Sequence, residues 1–303
     1  PPEPARPAPV VPTGAGRPQP RQCFWRQLRI VARRTVAVIA ADRLYLSLLI
    51  GLPLGLAALL HVVPGHGGLA VPSGSPDYPD EAGELMTILI VGAVFMGLAG
   101  GIRELVGERA IYRRERAVGL SPGAYLGAKL VVFAAVDTAQ VTLFVLVGLC
   151  GRPGPREALV LGAPTVELIA VVAMAALAST AMGLLVSAFV STVEQTMPVL
   201  VCLVMAQLVL CGGLFAVAGR VVVAQLSWFA PARWAYAALA GTVNLPALAV
   251  PPPDDPLWRH TAGAWLTAVG VLVGQAVLLV AAARLALRRH EPGRRSLSRS
   301  GDG

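Results

Sequence analysis

The sequence has few of the residues that a water-soluble domain displays at its surface. Only 14% of its 303 residues are charged, 55% are hydrophobic, and Lys129 is the single lysine within a Lys plus Arg total of 25. A mean hydropathy of +0.67 exceeds what a soluble domain of this length could bury, so a soluble globular class is excluded. Cysteine is scarce too: Cys23, Cys150, Cys202 and Cys211 form no CxxC pair, and two of them fall inside apolar runs where small hydrophobes belong. His61, His66, His260 and His290 form no HExxH pattern, so no metal is assigned. The chain also lacks G-x-x-x-x-G-K-[ST], since Lys129 follows Gly127-Ala128 rather than a glycine. A phosphate-cradling loop of that type is therefore excluded, and with it ATP binding by that route. Acids within the apolar runs are sparse, Asp137 and Glu167 among them, and no paired constellation points to an intramembrane enzyme. No catalytic residue and no cofactor ligand is assigned. A net charge of +8 would suit nucleic acid if it were gathered on a soluble domain, but the arginines flank the apolar runs instead.

Six apolar runs reach the roughly 20 residues that a helix needs to cross a hydrocarbon core about 30 Å thick. They are Leu44 to Val63, Leu85 to Ile102, Tyr125 to Leu149, Val166 to Val190, Met197 to Ala218 and Ala264 to Leu285. The expected fold is thus an all-α polytopic membrane domain with six transmembrane helices. Lys and Arg number eight before Leu44, six from Arg103 to Lys129 and six from Arg284 onward, leaving five of the 25 for the alternate segments. The positive-inside bias then places both termini and the Arg103 to Lys129 stretch in the cytoplasm of a multi-pass protein, as an even number of spans also requires.

Three segments outside the runs carry their own patterns. Phe24, Trp25, Leu28, Val31 and Ala32 fall at helical spacing, with Arg26, Arg29 and Arg33 on another face, as in a helix lying in the inner interface among anionic lipids. Between the second and third runs, Glu108 to Gly119 reads as an amphipathic cytoplasmic connecting helix. Ala110, Ile111, Tyr112 and Val118 can share one side of it, while Arg109, Arg113 and Arg116 recur on another. This is either a surface that docks on a partner or an ordinary charged loop. From Gly219 to Gly263, Trp228, Phe229, Trp234 and Tyr236 cluster in a stretch too short to span, which fits a re-entrant or interfacial segment at the outer face.

Eight of the first twenty residues are proline, so residues 1–21 read as a semi-rigid linker from an upstream domain. Residues 22–290 form the membrane domain and 291–303 a basic disordered tail. Within the runs, Asp137 and Gln140 lie one turn apart, and a charge at mid-membrane must face protein or water. They line a polar path or make a hydrogen bond between helices. Gln207 in the fifth run has the same two readings, beside the small residues Gly212 and Gly213. Glu167, near a run's end, can snorkel.

The order of these elements resembles the permease domain of ABC exporters of the G-subfamily type, from Phe24 to Leu287. The resemblance is carried by Trp25, Gln27, Leu28, Arg33, Arg34 and Asp42-Arg43, and by Glu108-Arg109, Ile111-Tyr112, Arg114-Glu115, Gly119, Tyr125 and Lys129. It continues through Pro198, Gln207 and Cys211-Gly-Gly-Leu-Phe215, then Pro231, Arg233-Trp234, Tyr236, Ala238-Leu239 and Asn244. The family often has a proline soon after its matching lysine, whereas Val131 to Val136 has none, and its animal members pair cysteines in the last outer loop, beyond the position of Cys211. These departures favour a bacterial relative, some of which place the ATPase domain ahead of the permease on one chain.

The resemblance implies a homodimeric exporter of amphiphilic substrates such as lipids, glycolipids or hydrophobic drugs, working by alternating access in the plasma (inner) membrane. ATP and Mg would act through a partner nucleotide-binding domain upstream. Glu108, Arg109, Tyr112, Arg113, Arg114 and Glu115 would couple to that domain. Phe95, Met96, Asp137, Gln140 and Gln207 would border the substrate path, Leu214 and Phe215 would form an outer gate, and Arg233 and Trp234 would belong to the outer re-entrant segment. The alternatives are a passive channel or structural membrane subunit and, further off, an intramembrane enzyme. No nucleic acid is implied.

Overall fold

Leucine, alanine and valine dominate the apolar runs, and away from water such a chain satisfies its backbone by forming helix. The computed structural model describes residues 23–70, 80–215, 217, 219–249 and 255–288. In chain order the helices are α1 (Phe24–Ala41), α2 (Arg43–Val62), α3 (Glu81–Gly101), α4 (Glu104–Gly107), α5 (Arg109–Ala117), α6 (Pro122–Gly148), α7 (Pro164–Phe189), α8 (Thr196–Leu210), α9 (Val221–Ser227), α10 (Pro231–Val243), α11 (Leu245–Leu248) and α12 (Ala262–Arg288), with a 3-10 turn at Pro256–Trp258 before the last. The anticipated linker 1–21 and tail 291–303 lie outside the described residues.

Five helices are long and apolar enough to cross a membrane: α2, α3 running on through α4, α6, α7 and α12. The chain is a polytopic all-α membrane domain, but the fifth expected span is not a full-length helix. Of Met197 to Ala218, α8 takes only up to Leu210, a helix of 15 residues, which rises ~22 Å at ~1.5 Å per residue. Gly212 ends it in a left-handed conformation at φ 92°, where a side chain would collide with the Arg233 guanidinium, 2.3 Å from the position of its Cβ. The glycine pair that sequence associates with helix packing instead turns the chain.

The central contact is α3 against α7, and it depends on the absence of side chains. A Cβ on Gly97 would stand 2.0 Å from the Ala176 carbonyl oxygen, and one on Gly101 would stand 2.5 Å from that of Thr180. Spaced four apart, the two glycines let the backbones touch, the small-residue mode of association that operates where lipid removes any hydrophobic drive. Asp137 of α6 joins this seam, Thr180 Oγ1 lying 2.7 Å from its Oδ2 and 3.1 Å from the Gly97 carbonyl.

Helix α2 packs beside α6 and carries Pro53 in its interior. A proline has no N–H to offer the carbonyl four residues back, which here is Leu49. Gln140 of α6 donates its Nε2 to that Leu49 oxygen at 2.8 Å.

The aromatic segment enters the bundle. The Trp228 carbonyl, between α9 and α10, accepts from Gln275 Nε2 at 2.6 Å, and Gln275 lies halfway along α12. At its other end α10 reaches Glu167 in the first turn of α7 through Thr242, 2.7 Å away. All 13 residues of α10 are buried. Alanine and glycine fill much of it, which lets α3, α7 and α12 close around it. Hairpin α9–α10 is thus a re-entrant element reaching mid-bundle. The elbow α4–α5 occupies the opposite end from Glu167.

Two stability predictions follow from these contacts. Gly97→Val should destabilise the domain by more than the ~1–3 kcal/mol of ordinary overpacking, because the clash is with backbone, and so lower the thermal midpoint and the monodisperse yield in detergent. Gly107→Ala, where a Cβ meets nothing within 4 Å, should not. Gln140→Leu should cost about 1–3 kcal/mol, the desolvation of an orphaned carbonyl, in the native background. It should cost little in Pro53→Ala, where the alanine amide takes over; equal costs in the two backgrounds would refute the pairing.

Candidate coupling site and transport path

Ile102 and Arg103 interrupt the helix between α3 and α4, and polar side chains of α1, α6 and α7 hold the elbow α4–α5 that follows. Ser187 of α7 accepts the amides of Leu105 and Val106, each at 3.0 Å, satisfying first-turn donors of α4. Arg109 donates to the carbonyl of Val190 at 2.7 Å and to that of Ala188 at 3.5 Å, placing a cation on the C-terminal end of α7. Gln27 of α1 clamps the α5–α6 turn, donating to the Gly119 carbonyl at 3.1 Å and accepting the Ser121 amide at 3.0 Å.

Beneath the elbow lies a cluster of charge. The Lys129 ammonium, 1% exposed, is 2.6 Å from Glu104 and 3.0 Å from Glu108. Tyr125 donates its hydroxyl to Glu108 at 2.8 Å. Arg34 of α1 pairs with Glu115 and lies 3.6 Å from Glu108. Two cations therefore face three carboxylates, and Glu108 is common to both cations. Lys129 is buried in α6, so the cluster ties the start of α5, at Glu108, to that helix. An isolated ion here would be costly, and the two carboxylates offset part of that cost.

The faces of α5 differ from the pattern read in the sequence. Tyr112 does not share a side with Ile111 and Val118: it points inward onto the Tyr125 ring, with centroids 4.9 Å apart, beside the inward carboxylates. Ile111 and Val118 remain 45% and 69% exposed, next to Arg113 and Arg114, also exposed. The reason is electrostatic, since bringing Glu108 and Glu115 to Lys129 and Arg34 rotates the apolar side outward. Between α1 and α5 a groove of about 350 Å³ opens, bordered by Ile30, Arg34, Arg114 and Val118. In α1 the face turned to the protein is Gln27, Val31 and Thr35, while Phe24 and Trp25 are exposed.

The remaining candidates are scattered. Asp137 and Gln140 are buried in the seams described above. Gln207 is buried as well: its Oε1 accepts the Ala232 amide in the first turn of α10 at 3.0 Å, and its Nε2 lies 3.8 Å from the Met182 sulfur. It supplies the cap that Ala230 cannot. Met96 is core, whereas Phe95 belongs to a half-exposed stripe with Ile88 and Val91. Beside it α8 exposes Met197, Val201, Met205 and Val209, four residues apart. Leu214 is exposed, and the Arg220 guanidinium lies 5.4 Å from the Phe215 ring. Arg233 is buried against Asp255, with Trp258 5.9 Å away. Trp234 donates to the Trp228 carbonyl at 3.0 Å. Glu167 does not snorkel: its Oε2 accepts the amides of Leu159, Val160 and Leu161 at 2.9–3.1 Å.

Against families of known proteins, residues 26–243 match the ABC-2 type transporter model. The chain belongs to the ABC-2 type transporter family. It is also 43% identical over 290 residues, 94% of its length, to the ABC transporter ATP-binding/permease protein Rv1747 of Mycobacterium tuberculosis, of which it spans 33%. What is described is an ABC-2 membrane domain. In that domain the sequence pattern did not disclose the parts played by Glu104, Arg34, Ser187 or the Glu81–Arg152 pair, 2.6 Å apart, which ties the far end of α3 to the loop after α6. One signal was available: a lone lysine at the edge of an apolar run has to find carboxylates.

Lys129→Met should destabilise the ABC-2 domain by roughly 3 kcal/mol, the low end for breaking a buried pair from one side, because the orphaned carboxylates keep some solvent. Glu104→Gln in the same background should recover part of the lost thermal midpoint; a double variant no better than the single would disconnect the two residues.

Proposed function

We propose that this chain is the permease half of an ATP-driven exporter, with α5 as the lever on which a nucleotide-binding domain acts. One observation carries the reading: an exposed apolar and basic patch, Ile111, Arg114 and Val118, lies on the same short helix as a part-buried ion cluster rooted in a membrane helix at Lys129. A push on that patch reaches α6 through Glu108 and Lys129, α7 through Arg109 and Ser187, and α1 through Arg34. The ATP-binding/permease name of the Mycobacterium tuberculosis relative supports a partner that binds ATP; we further assign Mg to that partner and take residues 1–21 as linker to it, 22–290 as the membrane domain and 291–303 as a basic tail.

In this reading the α5 end and both termini are cytoplasmic in the plasma membrane, in keeping with the arginine distribution. Two copies associate through the exposed α8 stripe and the Phe95 side of α3, and the path runs between them with Leu214 and Phe215 toward its outer end. Asp137, Gln140 and Gln207 act from behind that wall, fixing the helices that form it, while Arg233 and Trp234 anchor the re-entrant hairpin. The lining is apolar, which suits a lipid, glycolipid or hydrophobic drug. Closure of the ATPases would rock α5 and alternate access between the two sides.

Arg114→Ala tests this, because the side chain is exposed and its loss leaves the ion cluster intact. In vesicles reconstituted with the nucleotide-binding domain, substrate-stimulated ATP hydrolysis should fall at least about fivefold, the lower bound of a typical coupling energy, with insertion and thermal midpoint unchanged. Unaltered stimulation would remove α5 from the drive train, and substrate flux without ATP would make the protein a channel.

A further inference from the structure

On the side of the bundle away from the α8 stripe, α6, α7 and α12 leave an apolar recess of about 440 Å³. Val131 and Ala134 form one wall, Met174 and Leu177 the back, and Ala276 and Val280 the other wall; no lining residue is polar. Such a space opening laterally between membrane-crossing helices is not filled by water, which would find no hydrogen-bond partners there. Its α12 wall advances by the steps Leu272, Val273, Ala276, Val277 and Val280, and the next position on that face is Arg284. The Arg284 guanidinium lies 3.5 Å from where a Cβ on Gly123 would be. Gly123 is in the first turn of α6, so the guanidinium closes the α5 end of the recess between the same two helices. Among the described residues no carboxylate pairs with Arg284, and its side chain is exposed.

We propose that this recess is a binding site for one anionic phospholipid, its acyl chain lying along α12 from Val280 to Leu272 and its phosphate on Arg284. The dimensions agree. Twelve residues separate Leu272 from Arg284, about 18 Å at ~1.5 Å per residue, close to the ~15 Å of a single leaflet's hydrocarbon. A phosphate at Arg284 would meet a planar donor suited to bidentate contact. It would also lie beside the first turn of α6 at Gly123, where a Cβ would come within 3.5 Å of the guanidinium. The bound lipid would brace α12 against α6, a contact that the protein itself leaves open at this level. The α5–Lys129 cluster is on other faces of α6, so the site is independent of the coupling role proposed above.

The test uses the full chain in detergent, relipidated with phosphatidylglycerol or with phosphatidylcholine of the same acyl length, read by native mass spectrometry and by thermal midpoint. Phosphatidylglycerol should be retained as one tightly held copy and should raise the midpoint more than phosphatidylcholine. Arg284→Ala should weaken retention about fivefold, as expected for one interfacial cation, and Arg284→Lys should keep most of it. Ala276→Phe, which fills the recess and leaves the charge, should abolish the retained copy; Ala134→Phe serves the same end from the α6 side should the first variant not fold. Equal retention of the two lipids, or retention unaffected by Arg284→Ala or by the filled recess, would overturn the site. Because no ATP is used, failure here would leave the transporter reading untouched.

Discussion

In a hydrocarbon surrounding, a backbone amide or carbonyl that loses its helical partner has to find another inside the protein, and this requirement accounts for many of the polar side chains within the bundle. Gln140 serves the carbonyl that Pro53 frees in α2. Gln207 serves an amide at the start of α10, Glu167 takes three amides of the loop before α7, and Gln275 and Trp234 share the carbonyl of Trp228 where the re-entrant hairpin turns. Ser187 receives the first amides of α4. The proline in α2 and the starts of α4 and α10 are each met in this way by a side chain from another helix. That is what allows an interrupted α3 and a hairpin dipping to mid-bundle to exist among the long spans.

The same requirement distributes rigidity. Helices α3 and α7 touch backbone to backbone through Gly97 and Gly101, a contact with no side chain to rearrange, so these two behave as one body. The elbow α4–α5 is fixed to that body by hydrogen bonds to α7 and to α6 by charge. Ion pairs tolerate sliding and partner exchange better than interlocked apolar side chains do, and Glu108, shared between Arg34 and Lys129, can shift its weight from one to the other. A joint of that kind suits motion at one end of the bundle while the glycine seam stays closed.

The sequence made the long helices legible because their periodicity is irrelevant once every face is apolar; length and composition suffice for α2, α3, α6, α7 and α12. It made the aromatic segment legible as something other than a span, through the density of Trp228, Phe229, Trp234 and Tyr236. The end of α8 was not legible, because an apolar run containing Gly212 and Gly213 looks the same whether the glycines pack or turn; only the Arg233 side chain occupying the space decides for the turn. The orientation of α5 was not legible either. A hydrophobic pattern assigns Tyr112, Ile111 and Val118 to one side, but the partners that rotate the helix, Lys129 and Arg34, are distant in sequence. Gln140 and Leu49, 91 positions apart, show the general limit: a glutamine in a span announces a polar need without saying whose.

Asp137 brings this logic to its sharpest point. The Thr180 hydroxyl has one proton and stands within reach of two oxygens, the Gly97 carbonyl and the Asp137 carboxyl. Shared between them as a three-centre donor, the hydroxyl of α7 answers a carbonyl of α3 and a carboxyl of α6 at once, across the glycine seam. The acid in the apolar run is thus a helix fastener by the same rule that employs Gln140 and Gln207.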